Sequence, residues 1–313
     1  MNDPKLGFVF PGQGSQTVGM LAELAQQCSE IEVTFDIASQ VLGYDLWQLA
    51  QNGPQEELNL TEKTQPLLLT SSVALWRVWQ ARGGSQPSVM AGHSLGEYSA
   101  LVCSGVINFE DAVGLVRKRG QFMQSAVPVG EGAMAAVLGL DDAAIVALCS
   151  ELSSPGHIVE AVNFNSPGQV VIAGNAEAVA KASDALKQAG AKRVAPLPVS
   201  APFHTSLMRP AAEALAIELE KINFNSPGIP VLHNVHAQME SSPEKIRQLM
   251  IEQTSSPVQW TQCVQAMVTQ GVERVCECGP GKVLSGLARR IHKPLLALTT
   301  DSPDALEKAL QQN

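Results

Sequence analysis

The chain has 313 residues, 45% of them hydrophobic and 16% charged, which suffices for one large core or a core carrying a smaller insertion. Its formal charge of −9 argues against nucleic acid as a partner, because phosphate binding needs a surplus of Lys and Arg. No apolar run approaches the roughly 20 residues that span a bilayer, so no membrane association is expected. The opening Met1-Asn2-Asp3-Pro4-Lys5 has neither the basic start nor the apolar stretch of a secretory signal, and a cytoplasmic protein is expected. Six cysteines (Cys28, Cys103, Cys149, Cys263, Cys276, Cys278) include no C-x-x-C pair and read as reduced thiols. Cys276 and Cys278 would share one face of a strand, but no second ligand pair has zinc spacing, so no metal is expected.

In chain order, short β-branched or apolar runs alternate with helical patterns, the mark of an α/β fold on a mainly parallel sheet. A first strand over residues 6–10 stops at Pro11-Gly12. Helical stretches follow at 21–27 and 31–41, and a long one from about Pro66 to Ala81 precedes Gly83-Gly84. A second strand, 88–91, leads into Gly92-His93-Ser94-Leu95-Gly96. Asn108 with Asp111 resembles a helix N-cap pair, opening a helix that runs to about Ser125. Between residues 127 and 200 the order becomes β-α-β-β-α-β: strands at 133–139, 158–163, 169–173 and 193–199, helices at 141–150 and 176–189. That is a split βαβ, ferredoxin-like unit. It reads as an insertion, because prolines bracket it and α/β alternation resumes afterwards, with strands at 229–234, 274–277 and 295–298.

Gly92–Gly96 matches G-x-S-x-G with a strand before it and a helix-compatible run after it, the setting of a nucleophile elbow. The glycines permit a turn that a Cβ would obstruct, and Ser94 is then presented at the head of a helix, with the N–H of Leu95 facing any oxyanion that forms on a bound acyl carbon. Serine needs a base within hydrogen-bond reach. His204 is the candidate, since Pro202-Phe203-His204 follows a strand end, where α/β folds build their sites; the competing reading is a capping or packing histidine. His93 is expected to point away from the nucleophile. His157, His233, His236 and His292 read as structural or surface residues.

Phe10-Pro11-Gly12-Gln13-Gly14-Ser15-Gln16, Gly92–Gly96, Arg119, Ser200-x-Pro202-x-His204 and Gly279-Pro280-Gly281, taken together and in this order, resemble the malonyl-CoA:acyl carrier protein transacylases. The likeness runs over essentially the whole chain. It implies a hydrolase-like large α/β subdomain over residues 1–126 and 201–313 and an inserted ferredoxin-like subdomain over 127–200. It also implies Ser94 as nucleophile, His204 as base, the main-chain N–H groups of Gln13 and Leu95 as oxyanion donors, Arg119 as holder of the malonyl carboxylate, and Gln253 as source of a carbonyl that orients His204. A guanidinium suits the Arg119 role because it meets a carboxylate through two parallel charge-assisted bonds. Arg117 and Lys118 read as exposed, and Arg119 itself has the alternative of a solvated helix face. Gln259 competes with Gln253, which has an exposed-helix alternative. Phe203 is bulky where some relatives carry a small residue, which leaves no room for a branched malonyl group; the alternative is simple core packing.

The activity implied is transfer of a malonyl group from malonyl-CoA to the phosphopantetheine thiol of acyl carrier protein, through a malonyl-serine, for fatty acid synthesis. Both thioesters are substrates and no cofactor is implied; a monomer is expected. An acidic chain meeting an acidic carrier needs a local basic patch, for which Lys192, Arg193, Arg289, Arg290 and Lys293 are candidates, each with the alternative of a solvated surface run. The rivals are a serine esterase or thioesterase, which has no need of Arg119, a catalytically idle carrier-binding scaffold, and a free-standing loader for polyketide assembly.

Overall fold

The computed structural model describes residues 2–199 and 201–312; Ser200 of the S-x-P-x-H motif lies outside the described residues. The strands are β1 (Asn2–Phe10), β2 (Gln86–Gly92), β3 (Gly132–Leu138), β4 (Val159–Ser166), β5 (Gln169–Asn175), β6 (Arg193–Pro196), β7 (Val231–Leu232), β8 (Arg274–Glu277) and β9 (Leu296–Thr299). One sheet has the order β7-β2-β1-β8-β9, and each of its pairings is parallel.

β1 shows why its sequence is apolar on both sides. Phe8 and Phe10 point into a core shared with the helix Thr61–Ala81, whereas Val9 points into a second core with the helices Trp260–Thr269 and Val283–Ile291. Alternate residues of a parallel strand covered on both faces must all be hydrophobic. β3 to β6 form the other sheet, ordered β4-β5-β3-β6 and antiparallel throughout, with the helices Asp142–Leu152 and Ala176–Gln188 supplying its core. That is the ferredoxin-like order expected of the β-α-β-β-α-β pattern.

β1 begins at Asn2 rather than at residue 6 and β4 runs on to Ser166, and three further differences from expectation have a visible cause. The long helix begins at Thr61, with Pro66 inside it rather than at its start. A proline there costs about 3 kcal/mol, but Leu67, Leu68, Leu69, Val73 and Leu75 are buried on this helix, each worth about 1.5–3 kcal/mol. Burial wins. β6 stops at Pro196 rather than reaching Val199, because Pro198 has no N–H to continue the ladder. β7 is reduced to Val231–Leu232, since the next residues turn inward and the Asn234 N–H bonds Glu97 Oε2 at 3.0 Å instead of a neighbouring strand. Asn108 precedes the helix Phe109–Ser125 as expected, without a side-chain cap bond.

Candidate active site

β1, β2 and β7 end on the same edge of the parallel sheet, and the segments that leave them carry Gln13, Ser94 and Asn234. Ligands bind beyond the carboxyl ends of parallel strands because the connecting loops converge there. Ser94 has φ 53° and ψ −107° at the N-cap of the helix Leu95–Cys103, a conformation that a side chain adopts only under constraint. The constraint is visible in the bonds around it. The Ser94 N–H donates to Asn234 Oδ1 at 2.7 Å, and Asn234 Nδ2 donates to the Gly92 carbonyl at 2.7 Å. A Cβ on Gly96 would lie 2.0 Å from the Phe10 carbonyl oxygen, so only glycine lets the elbow pack on β1. Likewise a Cβ on Gly12 would lie 2.5 Å from the His93 carbonyl oxygen. The loop after β1 is therefore pressed against the elbow, and Gln13 joins Ser94 and Leu95 in lining one cleft. Leu95 is the first residue of its helix, where main-chain N–H groups have no intrahelical partner.

His204 is buried and has φ 65°. Its loop is held by the Thr205 hydroxyl donating to the Pro202 carbonyl at 2.7 Å and by Glu160 of β4, which accepts from the Ser206 N–H at 2.9 Å and its hydroxyl at 2.6 Å. His204 Nδ1 lies 2.9 Å from the Gln253 main-chain carbonyl, and Nε2 lies 2.7 Å from Ser94 Oγ. A carbonyl only accepts, so Nδ1 carries the proton and Nε2 is left free to accept from the serine hydroxyl. Burial, and then the Arg119 charge, lower the His204 pKa from 6.5 to about 3, so the imidazole is neutral at physiological pH.

Arg119 is 1% exposed, whereas Arg117 and Lys118 on the same helix bond the Leu42 carbonyl and Glu218. Its guanidinium donates through Nη1 to Gln65 Oε1 at 2.9 Å, and through Nη2 to Gln253 Oε1 at 2.9 Å and Ser94 Oγ at 3.3 Å. Its Nε–H has no hydrogen-bond partner. Among the described residues no carboxylate lies within the 4.0 Å of an ion pair with this cation, although it lines the cleft. Burial lowers its pKa, yet a guanidinium stays charged at physiological pH.

The cleft encloses about 120 Å³, and Met123, Met134, Leu197, Val199 and Phe203 form its apolar wall. Phe203 lines this space and also packs in the cluster that holds Met123, Met134 and Met208. His93 bonds Asn165 Oδ1 at 2.8 Å rather than Ser94, although it too borders the cleft. Gln253, not Gln259, reaches the site: it is fully buried and touches Arg119, Ser94 and His204.

Sequence reasoning did not find Gln65, Glu97, His233 or Asn234. Glu97 directly follows Gly96 and is fully buried, bonded by His233 Nδ1 at 2.7 Å, the Asn234 N–H at 3.0 Å and Gln253 Nε2 at 2.8 Å. A charged residue on the first turn of the otherwise uncharged run Leu95–Cys103 was a readable signal. Gln65 and Asn234 left none, because their partners come from distant parts of the chain.

A hydroxyl poised on a neutral imidazole, beside a cation that awaits an anion, is suited to forming a serine ester and passing it on. Acyl-transferring serine enzymes use this chemistry, and the chain falls in that class. Residues 7–293 match the acyl transferase domain family. A malonyl CoA-acyl carrier protein transacylase of Salmonella typhimurium is 59% identical over 308 residues, covering 98% of this chain and 99% of that protein. The crystal structure of malonyl-CoA:acyl carrier protein transacylase from Xanthomonas oryzae pv. oryzae superposes with a TM-score of 0.97 at 51% identity, over 100% of this chain and 99% of that one. A further structure, a malonyl-transacylase in complex with a type II PKS acyl-carrier protein, gives 0.97 at 55% identity, over 99% of this chain and 100% of that one. The chain belongs to the acyl transferase family and, within it, to the malonyl CoA-acyl carrier protein transacylases.

Proposed function

We propose that this chain moves a malonyl group from malonyl-CoA to the phosphopantetheine thiol of an acyl carrier protein, with Ser94 as the covalent carrier. The observation that carries the reading is the buried Arg119 cation, 3.3 Å from the nucleophile and without a carboxylate partner among the described residues. A thioester bearing a carboxylate supplies the missing anion; an acetyl thioester does not. This favours malonyl transfer over the esterase reading, which has no need of a guanidinium at this position.

In the first half-reaction the Ser94 hydroxyl gives its proton to His204 Nε2 as Oγ attacks the thioester carbonyl. The resulting oxyanion is stabilised by the main-chain N–H groups of Gln13 and Leu95, each worth about 2.7–4 kcal/mol when well placed. The Gln253 carbonyl holds the Nδ1 proton and so fixes the tautomer. As a neutral acceptor it stabilises imidazolium less than an aspartate would, which accords with the low His204 pKa. His204 then returns the proton to the departing coenzyme A thiolate. In the second half-reaction the carrier thiol attacks the malonyl ester by the same route, which regenerates Ser94. One thioester replaces another, so the exchange runs both ways with little driving force and needs no cofactor. The methionines, Leu197, Val199 and Phe203 limit water access to the ester.

Fatty acid synthesis in the cytoplasm is the setting proposed. No helix among the described residues is long and apolar enough to cross a membrane. The carrier complex of a 55% identical relative supports a protein carrier as the acceptor, and Lys192, Arg193, Arg289, Arg290 and Lys293 are the candidate docking cations. The chain is proposed to act as a monomer, with the catalytic residues on a large subdomain (1–126 and 201–313) and part of the cleft wall contributed by 127–200. Incubation with malonyl-CoA followed by intact-mass analysis tests the reading: one malonyl adduct on the wild type and none on Ser94→Ala supports it, and an adduct that survives Ser94→Ala refutes it.

A further inference from the structure

We propose that Glu97 is a positioning residue for substrate choice: its carboxylate fixes the Gln253 side-chain amide with the oxygen toward Arg119, and thereby holds the guanidinium where a thioester's carboxylate is recognised. The inference rests on the malonyl-transfer reading and deepens it. Gln253 Nε2 donates to Glu97 Oε2 at 2.8 Å and to the Ser94 carbonyl at 2.9 Å, while Oε1 accepts from Arg119 Nη2 at 2.9 Å. Turned over, the amide would set its NH2 against a guanidinium that only donates, and its oxygen against a carboxylate and a carbonyl that only accept. Of the groups that enforce the observed sense, Glu97 is the charged acceptor and therefore the strong one.

Glu97 is itself immobilised. It is fully buried, with Oε1 2.7 Å from His233 Nδ1 and Oε2 accepting the Asn234 N–H at 3.0 Å. The amide also keeps the two buried charges apart. A direct Glu97–Arg119 pair would occupy the guanidinium fork; with Gln253 between them the charges offset each other at a distance, and the fork stays open to a substrate. His204 is oriented by a different atom, the Gln253 main-chain carbonyl. Loss of Glu97 therefore acts on recognition of the acyl group more than on the base.

Glu97→Gln tests this, because a neutral amide both accepts and donates and so no longer dictates the sense of Gln253. Ser94 acylation is measured with malonyl-CoA and acetyl-CoA in the wild type, Glu97→Gln, Arg119→Ala and the double variant. The malonyl-to-acetyl ratio of kcat/KM is expected to fall about tenfold in Glu97→Gln, the scale of one charge-assisted hydrogen bond, and to fall no further when Glu97→Gln is added to Arg119→Ala. Equal slowing with both thioesters would overturn the proposal, as would an undiminished effect in the Arg119→Ala background. Should Glu97→Gln not fold, Gln253→Leu keeps the main-chain carbonyl and is expected to lose the same preference; an unchanged ratio there overturns it too. A wild type that does not favour malonyl-CoA would instead refute the underlying malonyl reading, and this inference with it.

Discussion

Arg119→Ala removes the cation from the cleft and should separate recognition of the acyl group from the chemistry on it. Arg119 is 1% exposed, so a malonyl carboxylate bound against it is drawn out of water. Removing one partner of such a buried pair costs about 3–5 kcal/mol, which is roughly 150- to 5,000-fold in kcat/KM. Acetyl-CoA has no carboxylate to leave unpaired, and its kcat/KM should change by less than about tenfold. The substitution also strips a donor from Gln65 Oε1 and Gln253 Oε1, about 1–3 kcal/mol for each acceptor left dry, offset in part because a desolvated charge disappears. A thermal melt on the same preparation therefore accompanies the kinetics. Single-turnover acylation of Ser94 with each thioester is the assay, and an equal loss for both would refute the reasoning.

Four further outcomes follow from the same geometry. With the His204 pKa lowered to about 3 by burial, kcat/KM for acylation by a malonyl thioester lacking phosphates should hold level as pH falls from 7 to 5, and an acid limb centred near 6.5 would contradict it. The same shift carries a stability consequence. The unfolded chain takes up the His204 proton below the ordinary imidazole value of 6.5 and the folded chain only near 3, so this contribution is fully present above 6.5 and is lost as pH falls toward 3, measurable as a declining denaturation midpoint. Phe203→Ala should raise acylation by methylmalonyl-CoA relative to malonyl-CoA, at a cost of about 3–5 kcal/mol in folding stability; an unchanged ratio would show that Phe203 only packs the wall. Gly96→Ala should destabilise the fold by about 3 kcal/mol or more in urea titration, because its Cβ would meet the Phe10 carbonyl oxygen at 2.0 Å; near-wild-type stability and activity would refute the packing argument.

The parts of this site that sequence made legible are those whose signal is local. A strand, two glycines and a serine within nine residues describe the elbow, because sterics at Gly96 decide that turn. The β-α-β-β-α-β order in residues 127–200 likewise announced the antiparallel sheet, whose strands pack against its own two helices. What stayed hidden is what depends on contacts between distant segments. Gln65 meets Arg119 across 54 positions and Asn234 meets Ser94 across 140, and neither side chain differs in its own neighbourhood from an ordinary polar residue. Two element bounds were misjudged for the same reason. Pro66 reads as a helix start until burial of the long helix outweighs it, and the strand expected at 229–234 is cut short by the turn toward Glu97.

The central claim is that Ser94 carries the malonyl group between two thiols, and a two-stage labelling experiment tests it most directly. Enzyme treated with malonyl-CoA and freed of excess reagent should hold one malonyl group, which peptide mapping places on Ser94. Added phosphopantetheinylated acyl carrier protein should then remove it with stoichiometric appearance of malonyl carrier. A label located on another residue, or a Ser94 ester that the carrier thiol leaves untouched, would contradict the account.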